Sequence, residues 1–390
     1  MTNLQNKTLF VFTGGGTSPA LNPTLYGVIK AAKTAGLRVL GGIAGWASLL
    51  DNGKVIDLAN LNLETIKNNG GTFLRSSRTN PFVIPGGIDQ IKLKIKEHKI
   101  DCIVAIGGDD TLGAARQLWE TENIPIVAIP KTVDNDLSGT YWCPGYPTAA
   151  NNFSRIVADI KKDAAYPLSR IFVIESVGGH AGWIAASGAY GQADLILPAE
   201  KEINLTNFLK VLSQKYEENG NFAVVAVAQE ARFDAPLKGL DDNQTDGYQV
   251  KRQYFISVDL RHTIQNALNI NTRLVYPANI IPSGSPIDID REISIKLGEK
   301  SVELLAQEKF GQMACVLRPD PQNLKIEIGS IELAKVAGKE NYRLLPEEYF
   351  DYDRFQPTQK YFDYMAPILG KYQPQEDDYY RLTKEINSQL

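Results

Sequence analysis

Cysteine, histidine and long apolar runs are the scarcest features of this 390-residue sequence. It contains three cysteines and three histidines. Cys102, Cys143 and Cys315 are odd in number and far apart, which argues against a disulfide framework and against a metal site built from Cys. We therefore expect three buried free thiols.

Membrane and nucleic-acid partners are also not expected. No apolar run approaches the roughly 20 residues that a membrane-spanning helix needs, and the first residues lack the basic-then-apolar order of a secretory signal. The formal charge is −4, and Lys and Arg are scattered along the chain, so no basic surface for nucleic acid is predicted. These features favour a cytoplasmic protein.

Short apolar runs alternate with helix-length amphipathic segments, and 43% of the residues are hydrophobic. Most of these runs are apolar on both faces, which is typical of parallel strands covered by helices on both sides. This pattern predicts an α/β protein with two sheets. The predicted strands lie at residues 8–12, 37–40, 102–106, 124–129, 170–175, 194–197 and 222–227.

A Gly-rich segment at residues 13–22, Thr-Gly-Gly-Gly-Thr-Ser-Pro-Ala-Leu-Asn, directly follows the first predicted strand. Gly14 and Gly15 have no Cβ, so their backbone N–H groups can approach a phosphate, and the following helix N-terminus favours an anion. The segment lacks the spacing of a dinucleotide-binding loop and the Gly-Lys-Ser/Thr ending of a Walker loop. By itself it is equally consistent with a tight turn.

The second Gly-rich segment, Gly-Gly-Asp-Asp-Thr at residues 107–111, precedes a helix predicted to begin near Leu112. Gly108 and Thr111 are candidate phosphate-binding residues. One carboxylate would suffice to cap the helix, so the second acid suggests another role. A carboxylate beside phosphate-binding glycines commonly holds Mg²⁺, and we therefore interpret Asp109 as a metal ligand, with capping as the alternative.

The third segment, Pro-Lys-Thr-Val-Asp-Asn-Asp at residues 130–136, combines a cation, a hydroxyl group and two acids in one turn. Phosphoryl transfer to an alcohol needs a carboxylate that accepts the hydroxyl proton and cations that balance the charge of the moving group. Asp134 is the candidate base and Lys131 the candidate cation. A solvated turn is the alternative, but three such segments at successive strand ends favour a site.

These motifs resemble those of the bacterial-type phosphofructokinases, in the same order along the chain. The resemblance extends from Thr13 to about Arg291. It also includes Gly-Gly-His-Ala-Gly-Trp-Ile-Ala at residues 178–185, Leu-Pro-Ala-Glu at 197–200, and Gly-Ser-Pro at 284–286 followed by Asp290 and Arg291.

The resemblance implies a choice between two branches of the family, which use ATP or pyrophosphate. ATP-dependent members usually have Gly at the positions of Asp110 and Lys131. A carboxylate at Asp110 would repel the α-phosphate of a nucleotide, whereas Lys131 can neutralise a small dianionic donor. Both residues favour pyrophosphate, and the family's use of Mg²⁺ is implied as well.

The acceptor half of the family pattern is only partly present. Arg170 and Arg273 match arginines that bind the 6-phosphate of the sugar, typically across a subunit boundary, and Glu230 matches an acid that binds sugar hydroxyls. The usual Met-Gly-Arg is Val-Gly-Gly at residues 177–179. The usual His followed by Gln-Arg-Gly-Gly is replaced by Asn-Ile-Ile-Pro-Ser-Gly at 279–284, so two arginines and a histidine are absent.

Fructose 6-phosphate is the acceptor that the resemblance favours. Each lost charge-assisted contact typically contributes about 1.5–3 kcal/mol, so an unphosphorylated polyol such as an inositol, or sedoheptulose 7-phosphate, stays open. With the acceptor residues added, the implied site is as follows: catalytic Asp134, Lys131, Thr132 and Asp136; donor-binding Gly14, Gly15, Arg78, Gly108, Asp110 and Thr111; acceptor-binding Arg170, Gly178, Glu230 and Arg273; and the metal ligand Asp109.

The resemblance also implies two doubly wound, mainly parallel α/β/α sandwich domains with a C-terminal extension. Residues 1–140 with about 281–330 would hold pyrophosphate and Mg²⁺, residues 141–280 would hold the acceptor, and 331–390 would form the extension. The cross-subunit arginines predict a homodimer or homotetramer. The tail after Asn341 contains eight of the 17 tyrosines, and we interpret it as a docked segment of unknown purpose.

Three further expectations complete the sequence analysis. The acids Asp288, Asp290 and Glu292 are predicted at the start of a helix, where negative charge suits the helix dipole. Diacylglycerol and NAD kinases share Gly-Gly-Asp-Gly-type turns, but the motif at residues 130–136 argues against them. A non-catalytic, sugar-phosphate-binding regulatory paralogue and an ATP-dependent 6-phosphofructokinase stay as alternatives.

Overall fold

The computed structural model describes residues 4–165, 170–237, 240–241, 253–320, 325–336, 342–373, 382 and 385–386. The chain divides into two compact units. The first includes Met1–Thr148 and Pro282–Arg343, and the second includes Ala149–Gln244, Lys251–Ile281 and Leu344–Leu390. Within the described part of the chain, no helix is long and apolar enough to span a membrane.

The elements alternate along the chain as the apolar runs predicted. The strands are β1 Thr8–Thr13, β2 Arg38–Ile43, β3 Lys54–Asp57, β4 Cys102–Gly107, β5 Ile126–Pro130, β6 Arg170–Ser176, β7 Leu195–Leu197, β8 Glu202–Ile203, β9 Phe222–Ala228, β10 Arg232–Phe233, β11 Leu240–Asp241, β12 Gln253–Tyr254, β13 Asn271–Val275, β14 Gln312–Val316, β15 Ile328–Glu332, β16 Phe350–Asp351 and β17 Gln356–Pro357. The helices are α1 Leu21–Thr34, α2 Gly87–His98, α3 Asp109–Glu122, α4 Tyr146–Ala165, α5 Trp183–Ser187, α6 Leu205–Glu218, α7 Ile256–Leu268, α8 Asp288–Ala306 and α9 Gln359–Leu369.

The first unit contains a seven-stranded sheet in the order β15-β14-β5-β4-β1-β2-β3. Strands β14, β5, β4, β1 and β2 are parallel to one another, whereas the edge strands β15 and β3 run antiparallel to β14 and β2. β1, β4 and β5 are buried along their whole length, as the apolar runs predicted. β1 lies beside β4 while β2 lies on its other side, so the strand order reverses there. Such a switch point leaves a crevice at the carboxyl ends of the strands.

The second unit contains a four-stranded parallel sheet in the order β13-β6-β9-β7. Every residue of β9 is buried. The mainly parallel α/β class predicted from the sequence is therefore confirmed in both units.

The domain limits inferred from the sequence can be compared with these units. The first unit continues to Thr148 rather than to residue 140, and it extends beyond residue 330 because β15 pairs with β14. Within the predicted extension, residues 344–373 form part of the second unit. The described extension is thus an integral part of the fold.

The expectation that the cysteines are buried free thiols is confirmed. All three are free and buried. Burial raises the pKa of the Cys102 and Cys143 thiols to about 12 and that of Cys315 to about 11, so these side chains behave as small apolar residues.

Asp290 links the start of α8 to the start of α4. Helix α8 begins at Asp288, as predicted, but the carboxylate of Asp290 does more than complement the dipole of its own helix. It is fully buried and accepts hydrogen bonds from Gly145 N at 2.8 Å, Thr148 Oγ1 at 2.6 Å and Thr148 N at 3.3 Å. Burial raises the pKa of Asp290 to about 6, although the hydrogen bonds act in the opposite direction.

We expect Asp290→Asn to lower the apparent Tm at neutral pH, because the amide NH₂ would face groups that are themselves donors. The pKa is higher in the folded than in the unfolded chain, so the folded protein takes up this proton first as pH falls. The native chain should therefore gain stability relative to Asp290→Asn as pH is lowered from about 6 towards 4.

Thermal scans of both proteins across this pH range measure the difference. Asp288→Asn is the matched control, because the Asp288 side chain is 85% exposed and only forms an ion pair with Arg291. A Tm difference between the native chain and Asp290→Asn that does not vary with pH would contradict the prediction.

Candidate active site

The predicted donor residues of the first unit lie in loops that follow β1, β4 and β5. Because the three strands are neighbours and parallel, their carboxyl ends meet at one edge of the sheet. The strand order reverses between β1 and β4, so two of the three loops flank the switch point.

The first two loops approach each other too closely for any side chain at Gly14. Gly14 N donates to Ile106 O at 2.8 Å. A Cβ on Gly14 would lie 2.3 Å from Thr111 Oγ1. Gly15 has a φ of +83°, and a Cβ there would lie 3.2 Å from Lys131 Nζ. The fold thus brings Gly14, Gly15, Thr111 and Lys131 together, and both glycines are required by geometry.

Two serines that the sequence analysis did not assign hold this Gly-rich loop. Gly15 N donates to Ser77 O at 3.1 Å, and Ser76 Oγ donates to Gly15 O at 2.6 Å. The next residue, Arg78, has its NH2 atom 3.9 Å from the position of a Cβ on Gly16. Their proximity to Arg78 in the sequence was the one available signal for the two serines.

The start of α3 corrects one sequence-based expectation. The helix begins at Asp109 rather than near Leu112, so Asp109 and Asp110 both lie in its first turn. Gly108, which has no side chain, is the N-cap residue. In the first turn, the two negative charges of Asp109 and Asp110 complement the helix dipole.

Lys131 is a buried lysine at the end of β5. It is 3% exposed, its Nζ donates to Gly16 O at 2.7 Å, and its backbone N donates to Gly107 O at 2.8 Å. Burial lowers the pKa of Lys131 to about 8. Asp134 opposes this shift, Arg78 adds to it, and Asp136 also opposes it. The ammonium group is thus held at the Gly-rich loop with little solvation.

The turn after Lys131 is held by hydrogen bonds in which backbone N–H groups are the donors. Asp134 N donates to Thr132 Oγ1 at 3.1 Å, and Arg343 N donates to Asp136 O at 2.7 Å. Asn135, with a φ of +58°, is fully buried and accepts a hydrogen bond from Cys143 N at 2.9 Å. These contacts define the backbone of the turn that presents Asp134 and Asp136.

Gly145 connects this turn to the Gly-rich loop and to Asp290. It forms a parallel bridge with Thr132. Its φ is +102°, and a Cβ there would lie 2.2 Å from Ser18 Oγ. Asp290 accepts a hydrogen bond from Gly145 N and therefore stabilises the turn through Gly145. No local pattern predicts this hydrogen bond, because Asp290 is 145 positions away from Gly145 along the chain.

In the second unit, two predicted acceptor residues lie together. Gly178 lies two residues after the end of β6, and Glu230 lies two residues after the end of β9. A Cβ on Gly179 would lie 3.7 Å from Glu230 Oε1. Gly178 has a φ of +134°, which only glycine adopts readily.

The two predicted acceptor arginines lie elsewhere. Arg170 is the first residue of β6, and Arg273 pairs with Phe172 near the same end of that strand. A seven-residue strand is roughly 20 Å long, so the arginines lie towards the end of the sheet opposite Gly178 and Glu230. One copy of this unit does not bring all four residues together.

Comparison with known proteins identifies the family of this chain. The family model "Phosphofructokinase" matches residues 8–305. A pyrophosphate–fructose 6-phosphate 1-phosphotransferase of Dictyoglomus thermophilum is 36% identical over 312 residues, which cover 78% of this chain and 88% of the relative. An ATP-dependent 6-phosphofructokinase 3 of Streptomyces coelicolor is 30% identical over 80% of this chain and 91% of its own length.

A solved structure gives the same result for the fold. The pyrophosphate-dependent phosphofructokinase from Marinobacter aquaeolei superposes with a TM-score of 0.81 at 22% identity, over 95% of this chain and 94% of that one. This likeness confirms the fold class predicted from the sequence. Since the family match also covers most of the chain, including every motif on which the resemblance rested, the chain belongs to the phosphofructokinase family.

Proposed function

We propose that this protein is a Mg²⁺-dependent phosphotransferase that moves a phosphoryl group reversibly from pyrophosphate to the 1-hydroxyl of fructose 6-phosphate. The observation that carries the proposal is the buried ammonium group of Lys131 at the Gly-rich loop, beside the first turn of α3. The reaction is one of glycolysis, and we place the protein in the cytoplasm. The pyrophosphate-dependent relative named above supports this assignment.

Two charges support pyrophosphate as the donor. Lys131 Nζ lies where a dianionic phosphate could be neutralised beside the backbone N–H groups of the Gly-rich loop. Asp110, in the first turn of α3, would place negative charge against the α-phosphate of a nucleotide. Because relatives of both donor types match this chain, these two residues carry the choice.

Asp109 suits one coordination position of a magnesium ion. Mg²⁺ typically binds one or two carboxylates together with substrate phosphates and water. Among the described residues, no group of three or more His, Cys, Asp or Glu side chains could hold a metal ion by itself. In this proposal Asp109 holds the ion and the phosphates of the donor complete its coordination. The bound ion would supply charge neutralisation for the transferred group.

Asp134 acts as the general base in this proposal. It follows Lys131 by three residues on a turn whose backbone is fixed by Thr132, Cys143 and Gly145. The base accepts the proton of the acceptor hydroxyl, while Lys131 and Arg78 balance the charge of the phosphoryl group. Thr132 and Asp136 orient the hydroxyl. Catalysis then rests on positioning and electrostatics.

Gly178 and Glu230 bind the hydroxyls of the acceptor, and Arg170 and Arg273 bind its phosphate. Since the arginines lie near the opposite end of the sheet from Gly178 and Glu230, each complete acceptor site requires arginines from a second copy of the chain. This geometry supports a homodimer or homotetramer. A neutral polyol is the second candidate acceptor, because Gly179 provides no cation beside Glu230.

A panel of donors and acceptors tests the proposal directly. With Mg²⁺ and fructose 6-phosphate, we expect turnover with pyrophosphate and none with ATP. The same donors are then paired with sedoheptulose 7-phosphate and myo-inositol. Turnover with ATP alone would reject the donor assignment, and turnover of myo-inositol without fructose 6-phosphate would reject the acceptor assignment.

The pH dependence of donor use should report Lys131. Its cation is present well below pH 8 and is lost as pH rises through about 8 in the unliganded enzyme. The kcat/KM for pyrophosphate should therefore fall about tenfold per pH unit above this value. Lys131→Met should have a lower kcat/KM at pH 7 and should lack this decline. Both proteins experience the same titration of pyrophosphate, so an unchanged alkaline decline in the variant would exclude Lys131 as its source.

Asp134→Asn should abolish transfer while leaving pyrophosphate binding intact. Loss of a general base typically lowers kcat by about 10²- to 10⁴-fold, whereas the amide keeps the size of the side chain. Steady-state rates and calorimetric binding of pyrophosphate with Mg²⁺ provide the two measurements. Asp136→Asn, on the same turn, is the matched control and should lose less activity. Retained turnover in Asp134→Asn would remove the base from the proposal.

A further inference from the structure

The segment Leu345–Leu369 lies beyond the part of the chain that the family model matches, yet it contacts the turn that begins with Gly178. The contact passes through Glu200. Glu200 Oε1 accepts hydrogen bonds from Gly182 N at 2.8 Å and from Leu345 N at 2.8 Å. One carboxylate oxygen therefore joins the backbone of the turn to the backbone of the C-terminal segment.

Aromatic packing makes a second, independent connection. Trp183, which directly follows the turn and begins α5, is 1% exposed. Its ring lies 4.9 Å from that of Tyr364 and 6.1 Å from that of Tyr349, centroid to centroid. Tyr361 Oη also donates to Trp183 O at 3.4 Å. Three tyrosines of the Tyr-rich tail thus surround one residue at the end of the turn.

The segment is itself anchored to the sheet of the second unit. Ile196 N of β7 donates to Phe355 O at 2.9 Å, and Gln356 Nε2 donates to Ala193 O at 3.1 Å and to Asp194 O at 2.6 Å. The tyrosines are therefore presented from a support that is fixed to the same sheet that carries Gly178 and Glu230.

The turn needs such support because its own sequence gives it little rigidity. Gly178 and Gly179 both have positive φ values, and Gly182 is a third glycine within five residues. Glycine loses more conformational freedom on folding than any other residue. A backbone hydrogen bond crosses the turn, from Ala181 N to Gly178 O at 3.1 Å. Contacts from outside the turn must therefore contribute to its conformation.

We propose that Leu345–Leu369 is a positioning element for acceptor binding, which holds the turn at Gly178–Gly182 through Glu200 and through the tyrosines around Trp183. This inference rests on the proposed acceptor role of Gly178 and Glu230. In this inference the C-terminal residues do not bind the acceptor themselves. They act through the turn, which keeps its backbone beside Glu230.

Tyr364→Ala tests the aromatic connection, with Phe362→Ala as the matched control. Phe362 lies on the same helix, but its ring packs on Tyr372, Tyr190 and Tyr361 rather than on Trp183. We expect Tyr364→Ala to raise the KM for fructose 6-phosphate about tenfold, the factor that matches the loss of one aromatic pair. The KM for pyrophosphate should stay unchanged, and Tyr364→Phe should restore the KM for the sugar.

Hydrogen exchange of the amides at residues 178–183 provides a readout that does not depend on the acceptor. Exchange should accelerate in Tyr364→Ala and should change much less in Phe362→Ala, because the Phe362 ring contacts Tyr361 but not Trp183. If the native enzyme does not use fructose 6-phosphate, the proposed function fails, while this measurement still tests the support of the turn. Equal exchange in the two variants, or a rise of both KM values together, would overturn the inference.

Glu200 provides a second pair of variants should Tyr364→Ala fail to fold. Glu200→Gln keeps an acceptor oxygen for Gly182 N and Leu345 N, whereas Glu200→Leu removes it. We expect Glu200→Leu to raise the KM for fructose 6-phosphate and to accelerate exchange in the turn, and Glu200→Gln to resemble the native enzyme. Equal loss in both variants would mean that the charge of Glu200 acts directly, which would overturn its positioning role.

Discussion

The carboxyl ends of β1 and β4 can lie side by side because a glycine stands at each of them: Gly14 directly follows β1, and Gly107 is the last residue of β4. Thr111 occupies the space: a Cβ on Gly14 would lie 2.3 Å from its Oγ1, and a Cβ on Gly107 would lie 2.5 Å from its Cβ. This close approach brings the first turn of α3 against the Gly-rich loop. Trp46 secures it from the core, since its Nε1 donates to Thr111 O at 3.3 Å and its ring packs on Phe12 at 4.4 Å.

The same crowding explains the electrostatics of the site. Lys131 is almost fully removed from water where it reaches the Gly-rich loop, and its ammonium group donates a hydrogen bond to Gly16 O there. A buried cation is costly unless neighbouring groups compensate it. Asp134 and Asp136 compensate in part, and an anionic ligand would compensate further. The cost of burying this cation therefore favours the binding of an anion beside it.

Strands that are buried on both faces were easier to predict from the sequence than strands at the edge of a sheet. The apolar runs identified β1, β4, β5, β6 and β9, because strands buried on both faces need no alternation. β3 and β13 were missed, since edge strands carry polar residues such as Lys54 and Asn271 that obscure the pattern. β14 and β15 were also missed. β14 is apolar, but it follows a long helix without a recognised motif.

The residues of the site also differ in how well the sequence predicts them. Strand-end motifs indicated Asp109, Lys131 and Asp134, because the carboxyl ends of neighbouring parallel strands must meet. Ser76, Ser77 and Asp290 act through backbone groups that lie far away along the chain, and no local pattern encodes such pairs. The separation of Arg170 and Arg273 from Gly178 followed only from the strand register.

The antiparallel pair β16–β17 places Phe355 beside the edge strand β7 of the second unit. β7 is the last strand of its sheet, and an exposed strand edge is a template for pairing with another molecule. On that edge, Ile196 N donates a hydrogen bond to Phe355 O, and the Phe355 side chain is buried against Phe208. The C-terminal segment therefore covers a backbone N–H of the edge strand, which reduces the template that this edge offers for pairing with another molecule.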